Sequence, residues 1–355
     1  MTPRFHRLRV AEVRRETPEC VSLKFELPDA LASEYRFTQG QHLALRATLG
    51  GEELRRSYSV CSGCDDGELR VAVKKVPGGR FSVWANESLK PGDAIDVMTP
   101  EGRFFTPLDP AHEKHYVAFV AGSGITPVLS LICTTLAREP KSRFTLVYGN
   151  RRQASAMFHE ALEDLKDRYL ARFALYNVFS REAQDIELLN GRLDGAKARA
   201  FLAALVPAET IDEAFVCGPA SMIDDVERVL VGAGVPSAHV HVERFGVPGV
   251  EATAPVDDAG AAQARIGIVI DGVRREIDFQ PGQHSILDAG RAAGLDLPYS
   301  CKGGMCSTCR GKLLEGQVKM AKNYALEPHE VAAGFVLTCQ SYPLSERVLI
   351  SYDER

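Results

Sequence analysis

Cys301, Cys306 and Cys309 stand at C-x4-C-x2-C spacing, and 29 residues separate Cys309 from Cys339. No other part of the chain restricts its folding as tightly. Three thiolates converging from one loop need a backbone that doubles back within a few residues. Gly303 and Gly304, inside the run CKGGMCSTC, offer that freedom and let amides turn toward sulfur. Cys339 arrives from a separate segment and closes the cage. This is the spacing that holds a [2Fe–2S] cluster, so Cys301, Cys306, Cys309 and Cys339 are the expected metal ligands. The competing readings are a zinc site and a set of structural thiols. Closed zinc sites draw on paired C-x2-C units, and the run holds only one such unit. The other cysteines (Cys20, Cys61, Cys64, Cys133, Cys217) are scattered, and the odd total of nine argues against a disulfide framework.

The chain has 355 residues, room for two or three domains at about 150 residues each. Residues 246–264, GVPGVEATAPVDDAGAAQA, lack aromatic residues and any apolar period, which is the composition of a flexible linker. Residues 1–108 read as short β segments, among them Val21–Leu27, Leu43–Ala47, Ser57–Cys61 and Leu69–Val73, as in an antiparallel barrel or sandwich. Residues 109–245 alternate strands (Val117–Ala121, Thr145–Tyr148, Ala174–Phe179, Ala214–Cys217) with helices (Val128–Ala137, Ala154–Leu165, Ala196–Leu205, Ala220–Val231). That alternation predicts an α/β domain built on a parallel sheet. Residues 265–355 return to β, with a hairpin of Arg265–Ile270 and Arg274–Phe279 turning at Asp271-Gly272, then a helix over Ile286–Ala293.

Gly122-Ser123-Gly124-Ile125-Thr126-Pro127 lies between a strand and a helix, where a Gly-rich turn lets phosphates reach free amides. A ligand-free strand-to-helix turn has the same form, so Gly122, Gly124, Thr126 and Pro127 carry the reading only together with their surroundings. Cys217-Gly218-Pro219 ends a second strand at the same carboxyl edge. Ser180-Arg181 ends a third, and a hydroxyl beside a guanidinium suits a ribose 2′-phosphate. NADPH is therefore expected ahead of NADH. Arg56-Ser57-Tyr58-Ser59, followed by Lys74 and by Gly79-Arg80-Phe81-Ser82, offers cations, amides, an aromatic ring and hydroxyls for a flavin nucleotide.

Net charge is −5 at neutral pH, which argues against a nucleic-acid partner. The opening MTPRFHRLRV has no apolar core of the signal-peptide kind, and Gly-Ser-Gly and Thr-Pro interrupt the most apolar stretch, Tyr116 to Cys133. A cytoplasmic protein with no membrane partner is expected. The nine histidines are scattered and form no constellation with carboxylates.

The order R-x-Y-S, G-R-F-S, G-S-G-I-T-P, C-G-P resembles the ferredoxin–NADP reductase family, and the C-terminal cysteines add a plant-type ferredoxin domain. The likeness covers essentially the whole chain. It implies an FAD-binding barrel, an NAD(P)-binding α/β domain and an α+β, β-grasp ferredoxin domain. It also implies an oxidoreductase passing electrons from NAD(P)H through FAD and the cluster to the oxygenase component of a multicomponent monooxygenase. Pro298–Gly304, Lys322–Leu326 and Cys339–Pro343 are similar to reductases serving a di-iron oxygenase that epoxidises the ring of phenylacetyl-CoA. Reductases of steroid or aromatic-ring hydroxylases share the domain order and stay open, as does a flavin/iron–sulfur redox sensor. By the same resemblance Arg56 binds flavin pyrophosphate, Tyr58 packs on the isoalloxazine and Ser59 sits near flavin N5. Lys74, Gly79 and Ser82 contact the nucleotide, with Arg80 in the same motif. Gly122 and Thr126 face the nicotinamide cofactor, Cys217, Gly218 and Pro219 lie near the nicotinamide, and Phe245 covers the flavin.

Overall fold

The computed structural model describes residues 3–245, 264–280 and 282–354. The expected linker lies outside the described residues except for Ala264, which is already buried in a strand.

The N-terminal part is a six-stranded antiparallel sheet built from β1 (Phe5–Thr17), β2 (Cys20–Glu26), β3 (His42–Leu49), β4 (Glu52–Ser59), β5 (Leu69–Lys74) and β6 (Ala94–Met98). Its order is β4-β3-β6-β1-β2-β5. One helix, α1 (Arg80–Glu87), lies between β5 and β6. The strand expected at Ser57–Cys61 starts five residues earlier, at Glu52, because the Gly50-Gly51 turn (φ +61° and +82°) returns the chain immediately. Asn86 donates to the Val73 and Ser82 carbonyls at 2.9 and 2.8 Å, which fixes α1 beside β5.

Next comes a five-stranded parallel sheet: β7 (His115–Ala121), β8 (Arg143–Asn150), β9 (Phe173–Phe179), β10 (Glu213–Gly218) and β11 (Val240–Arg244), ordered β11-β10-β7-β8-β9. Helices α2 (Ile125–Arg138) and α3 (His159–Arg168) cover one face, and α4 (Gly195–Ala204) and α5 (Ala220–Gly232) the other. The central strands are buried on both faces, so they read as continuous apolar runs. The α3 helix begins at His159 rather than Ala154. Tyr148 Oη accepts from the Met157 amide at 3.2 Å, and Phe158 takes a left-handed φ of +59° with its ring buried. Residues 156–158 are thereby buried against the sheet, and Gln153–Ser155 form a separate short 3-10 turn instead of joining the helix.

The C-terminal part has β12 (Ala264–Ile270), β13 (Val273–Phe279), α6 (Ile286–Ala292), β14 (Arg310–Glu315), β15 (Val318–Met320), α7 (Pro328–Ala332), β16 (Phe335–Leu337), β17 (Ser341–Pro343) and β18 (Arg347–Ser351). Its main sheet runs β13-β12-β18-β14-β16, with β12 and β18 parallel. Asp271 and Gly272 both take positive φ, +51° and +72°, as a two-residue hairpin turn demands. Ile266, Ile268, Ile286, Leu287, Leu337 and Ile350 form its core.

The chain divides into two compact units. Arg7–Glu52 and Tyr58–Phe245 make one, and the short stretch Glu53–Ser57 groups with the C-terminal residues in the other. Among the described residues no helix is long and apolar enough to cross a membrane.

Candidate functional site

The carboxyl edge of the parallel sheet gathers most of the expected nucleotide residues. After β7 the chain makes a tight turn through Gly122 (φ +57°), and Tyr148 Oη donates to the Gly122 carbonyl at 3.1 Å. Gly124 is packed so closely on β10 that a Cβ there would lie 2.2 Å from the Cys217 carbonyl oxygen. The glycine is thus required by a close approach of two backbones, not by its dihedrals. Thr126 Oγ1 donates to the Ser123 carbonyl at 3.0 Å, and Pro127 occupies the first turn of α2, where a missing amide costs nothing. Gly218 ends β10 and Pro219 caps α5.

Cys217 is fully buried, and burial, followed by the charge of Glu243, pushes its thiol well above the ordinary range. It therefore stays protonated and is no nucleophile. The parallel register of β10 and β11 pairs Cys217 with Glu243. The Glu243 carboxylate accepts a hydrogen bond from Ser59 Oγ at 3.3 Å. Ser59, Glu243 and Cys217 thus form one polar group at the sheet edge. Glu243 is the site residue that sequence reasoning left out. Its signal was the alternating run VHVER, which the structure shows to be the edge strand β11. Phe245 follows directly and packs on the apolar core around α2.

Lys74, at the end of β5, also reaches this edge: its Nζ lies 3.8 Å from the position a Cβ on Gly122 would take. Beyond it, Gly78 adopts φ +73° and Gly79 precedes α1. Ser82 Oγ accepts from the Val76 amide and donates to the Gly79 carbonyl, both at 3.1 Å, which holds the first turn of α1 in shape. The amides of a helix's first turn have no intrahelical acceptor, so this turn suits an anionic group. Tyr58 packs against Phe81 with ring centroids 5.7 Å apart. The Arg80 guanidinium is engaged by the Glu52 carboxylate. Arg56 is exposed and donates to the Arg55 carbonyl at 2.7 Å, while Ser57 Oγ donates to Ser300 Oγ at 2.8 Å. Ser180 and Arg181 stand at the far end of the sheet beyond β9, their amides bonded to the Asn150 and Arg151 carbonyls. The Arg181 side chain is exposed.

In the C-terminal unit the four expected ligands meet two by two. The Cys301 thiol lies beside that of Cys306, and the Cys309 thiol beside that of Cys339. The amides of Gly303 and Met305 donate to Cys301 Sγ at 3.3 and 3.5 Å, and the Cys301 amide to Cys306 Sγ at 3.5 Å. Left-handed φ falls on Gly304 (+76°) but also on Lys302 (+52°) and Ser307 (+50°), whereas Gly303 needs none. Among the described residues no three His, Cys, Asp or Glu side chains close on a single ion. Cys301, Cys306, Cys309 and Cys339 are the residues that would hold a two-iron cluster here. The all-thiolate donor set and the sulfur-directed amides fit the same group.

Three family models match in succession: an oxidoreductase FAD-binding domain over residues 7–106, an oxidoreductase NAD-binding domain over 119–228, and a 2Fe-2S iron-sulfur cluster binding domain over 268–344. The chain is 47% identical to one of the subunits of the 1,2-phenylacetyl-CoA epoxidase of Escherichia coli (strain K12), over 99% of this chain and 98% of that one. It is 33% identical to the ferredoxin reductase component of the 3-ketosteroid-9-alpha-monooxygenase of Rhodococcus rhodochrous, over 97% of this chain and 96% of that one. Among solved structures, phthalate dioxygenase reductase has the same fold, with a TM-score of 0.59 and 24% identity over 98% of both chains. The chain belongs to the FAD-, NAD- and 2Fe-2S-domain oxidoreductases that serve as reductase components of multicomponent oxygenases.

Proposed function

We propose that this reductase serves a di-iron oxygenase that epoxidises the ring of phenylacetyl-CoA, drawing on NADPH in preference to NADH in the cytoplasm. The observation that carries the partner is the 47% identity, end to end, to a component of that epoxidase, against 33% for the ketosteroid relative. Bound FAD and a bound [2Fe–2S] cluster supply the redox chemistry: together they convert a two-electron donor into single-electron delivery.

The chain's own residues bind, orient and insulate. Gly122, Gly124, Thr126 and Pro127 form a backbone cradle for the nicotinamide nucleotide, with Lys74 beside it and Gly218 and Pro219 opposite. Ser180 and Arg181 are the pair for the 2′-phosphate. Gly79, Arg80 and Ser82 present the first turn of α1 to the flavin diphosphate, with Arg56 on β4, while Ser57 and Tyr58 flank the flavin. Ser59 and Cys217 are the catalytic pair of this reading, set where flavin and nicotinamide would meet, and the hydrogen bond from Ser59 Oγ to Glu243 supports it by fixing the Ser59 rotamer. Phe245 shields that junction from water. Cys301, Cys306, Cys309 and Cys339 hold the cluster. The modules span residues 1–108, 109–245 and 265–355, joined by a linker over 246–264.

Reconstitution decides the partner. NADPH-driven turnover should appear when the reductase is mixed with the oxygenase components of phenylacetyl-CoA epoxidase. Failure there, alongside turnover with a ketosteroid or ring-hydroxylating oxygenase, refutes the assignment. A chain carrying flavin and iron that NADPH cannot bleach would instead be a redox sensor.

A further inference from the structure

Arg55 is a buried cation that stands outside the residues assigned above to flavin and nicotinamide. It sits within β4 with 6% of its surface exposed, directly before the Arg56-Ser57-Tyr58-Ser59 motif. Its guanidinium stacks over Tyr299 at 4.2 Å from the ring centroid and over Phe5 at 4.9 Å. Nε donates to Glu53 at 2.9 Å and Nη2 to Asp296 at 3.3 Å, while among the described residues Nη1 is buried without a hydrogen-bond partner. Tyr299 Oη in turn donates to the same Glu53 carboxylate at 3.4 Å. Two residues further along, Ser57 Oγ donates to Ser300 Oγ at 2.8 Å. Glu53, Arg55 and Ser57 are alternate residues, so one face of the strand grips two consecutive residues, Tyr299 and Ser300. The next residue is the ligand Cys301.

We infer that Arg55 is a positioning residue for the Cys301 ligand loop, acting through Tyr299 and adding a fixed positive charge that favours the reduced cluster. The inference rests on the ligand assignment above. A planar guanidinium can lie flat between two rings and fork to two carboxylates at once; an ammonium keeps the charge but cannot stack flat or fork in that way. Arg291, at 4.5 Å, and Lys302, at 5.4 Å, also face the Tyr299 ring, Lys302 being paired with Asp288 at 2.7 Å. A nearby positive charge stabilises an added electron. Exposure, hydrogen bonding and local charge are the levers that set cluster potentials.

The test uses full-length protein loaded with flavin and iron, in Arg55→Gln, Arg55→Lys and Asp296→Asn forms. Two readouts are taken: an EPR-monitored redox titration of the cluster, and hydrogen exchange over the peptide containing Tyr299–Cys301. Arg55→Gln should make the cluster about tenfold harder to reduce, a fall of about 59 mV for a one-electron couple. It should also lose protection in that peptide alone. Arg55→Lys should restore the potential but not the protection. Asp296→Asn, which removes an exposed carboxylate, should weaken protection by a smaller factor. Wild-type potential and protection in Arg55→Gln overturn the inference. Should that variant not fold, wild-type protection in both of the other variants overturns it as well. An iron-free wild-type protein would instead refute the ligand assignment, which the iron content reports separately.

Discussion

Ser59 Oγ donates to the Glu243 carboxylate across 3.3 Å, although 184 positions separate the two residues in the chain. One comes from the antiparallel sheet and the other from the edge of the parallel sheet. Their meeting gives the hydroxyl a single orientation. Ser59→Ala removes the hydroxyl that Glu243 holds in place and should slow NADPH-driven bleaching of the flavin by about 100-fold, the loss typical when one preorganised polar group is removed. Glu243→Gln keeps an acceptor for the hydroxyl and should cost less. Stopped-flow absorbance measures both, and a wild-type rate in Ser59→Ala would remove Ser59 from the catalytic pair.

Gly124 faces the Cys217 carbonyl so closely that any side chain must displace backbone. Gly124→Ala should destabilise the parallel-sheet module by about 1–3 kcal/mol, as overpacking does, and weaken NADP+ binding. Thermal unfolding and a binding titration read the two effects. Unchanged affinity in the variant would show that the turn does not contact the nucleotide.

Short-range spacing made much of this architecture legible. The cysteine run, the Gly-Ser-Gly turn and the strand–helix alternation each depend on neighbours a few residues away, and β7, α2, β10 and α5 lie where the sequence predicts them. What escaped was non-local. Glu243 acquires its meaning only from the β10–β11 register that sets it beside Cys217. The delayed start of α3 follows from a hydroxyl on β8, Tyr148, capturing the backbone at Met157. The grip of Arg55 on Tyr299 joins residues from opposite parts of the chain, which no local pattern announces.

Arg181 is exposed, just beyond the end of β9. Arg181→Ala should weaken NADPH by about 10- to 100-fold, the worth of a charge-assisted bond to phosphate, and leave NADH nearly unchanged. Steady-state KM values for the two coenzymes provide the comparison. Equal effects on both would assign Arg181 to solvent and the preference for NADPH to other residues.

Cys309 is buried beside Cys339. Cys309→Ser should abolish NADPH-driven reduction of a one-electron acceptor protein such as cytochrome c and remove the EPR signal of the reduced cluster. Flavin reduction by NADPH should persist. Loss of flavin reduction as well would contradict separate seats for the two cofactors.

His42, at the start of β3, is buried, and loss of solvent pushes its imidazole from 6.5 down to about 4. A lowered folded pKa means that the unfolded chain binds the proton first as pH falls. The contribution of His42 is therefore complete above pH 6.5 and is lost progressively toward pH 4. Its full size is about 3 kcal/mol, from the linkage of pKa to stability. His115, held near 4 by burial and then by Arg143, adds a slope of the same sign. Trp84 is the only tryptophan and lies on α1, so its fluorescence reports the antiparallel-sheet module selectively. The denaturant midpoint followed at Trp84 should fall between pH 7 and pH 4, and His42→Gln should flatten that fall while lowering stability at neutral pH. An equally steep fall in His42→Gln would show that other groups, not the buried imidazole, set the acid sensitivity of this module.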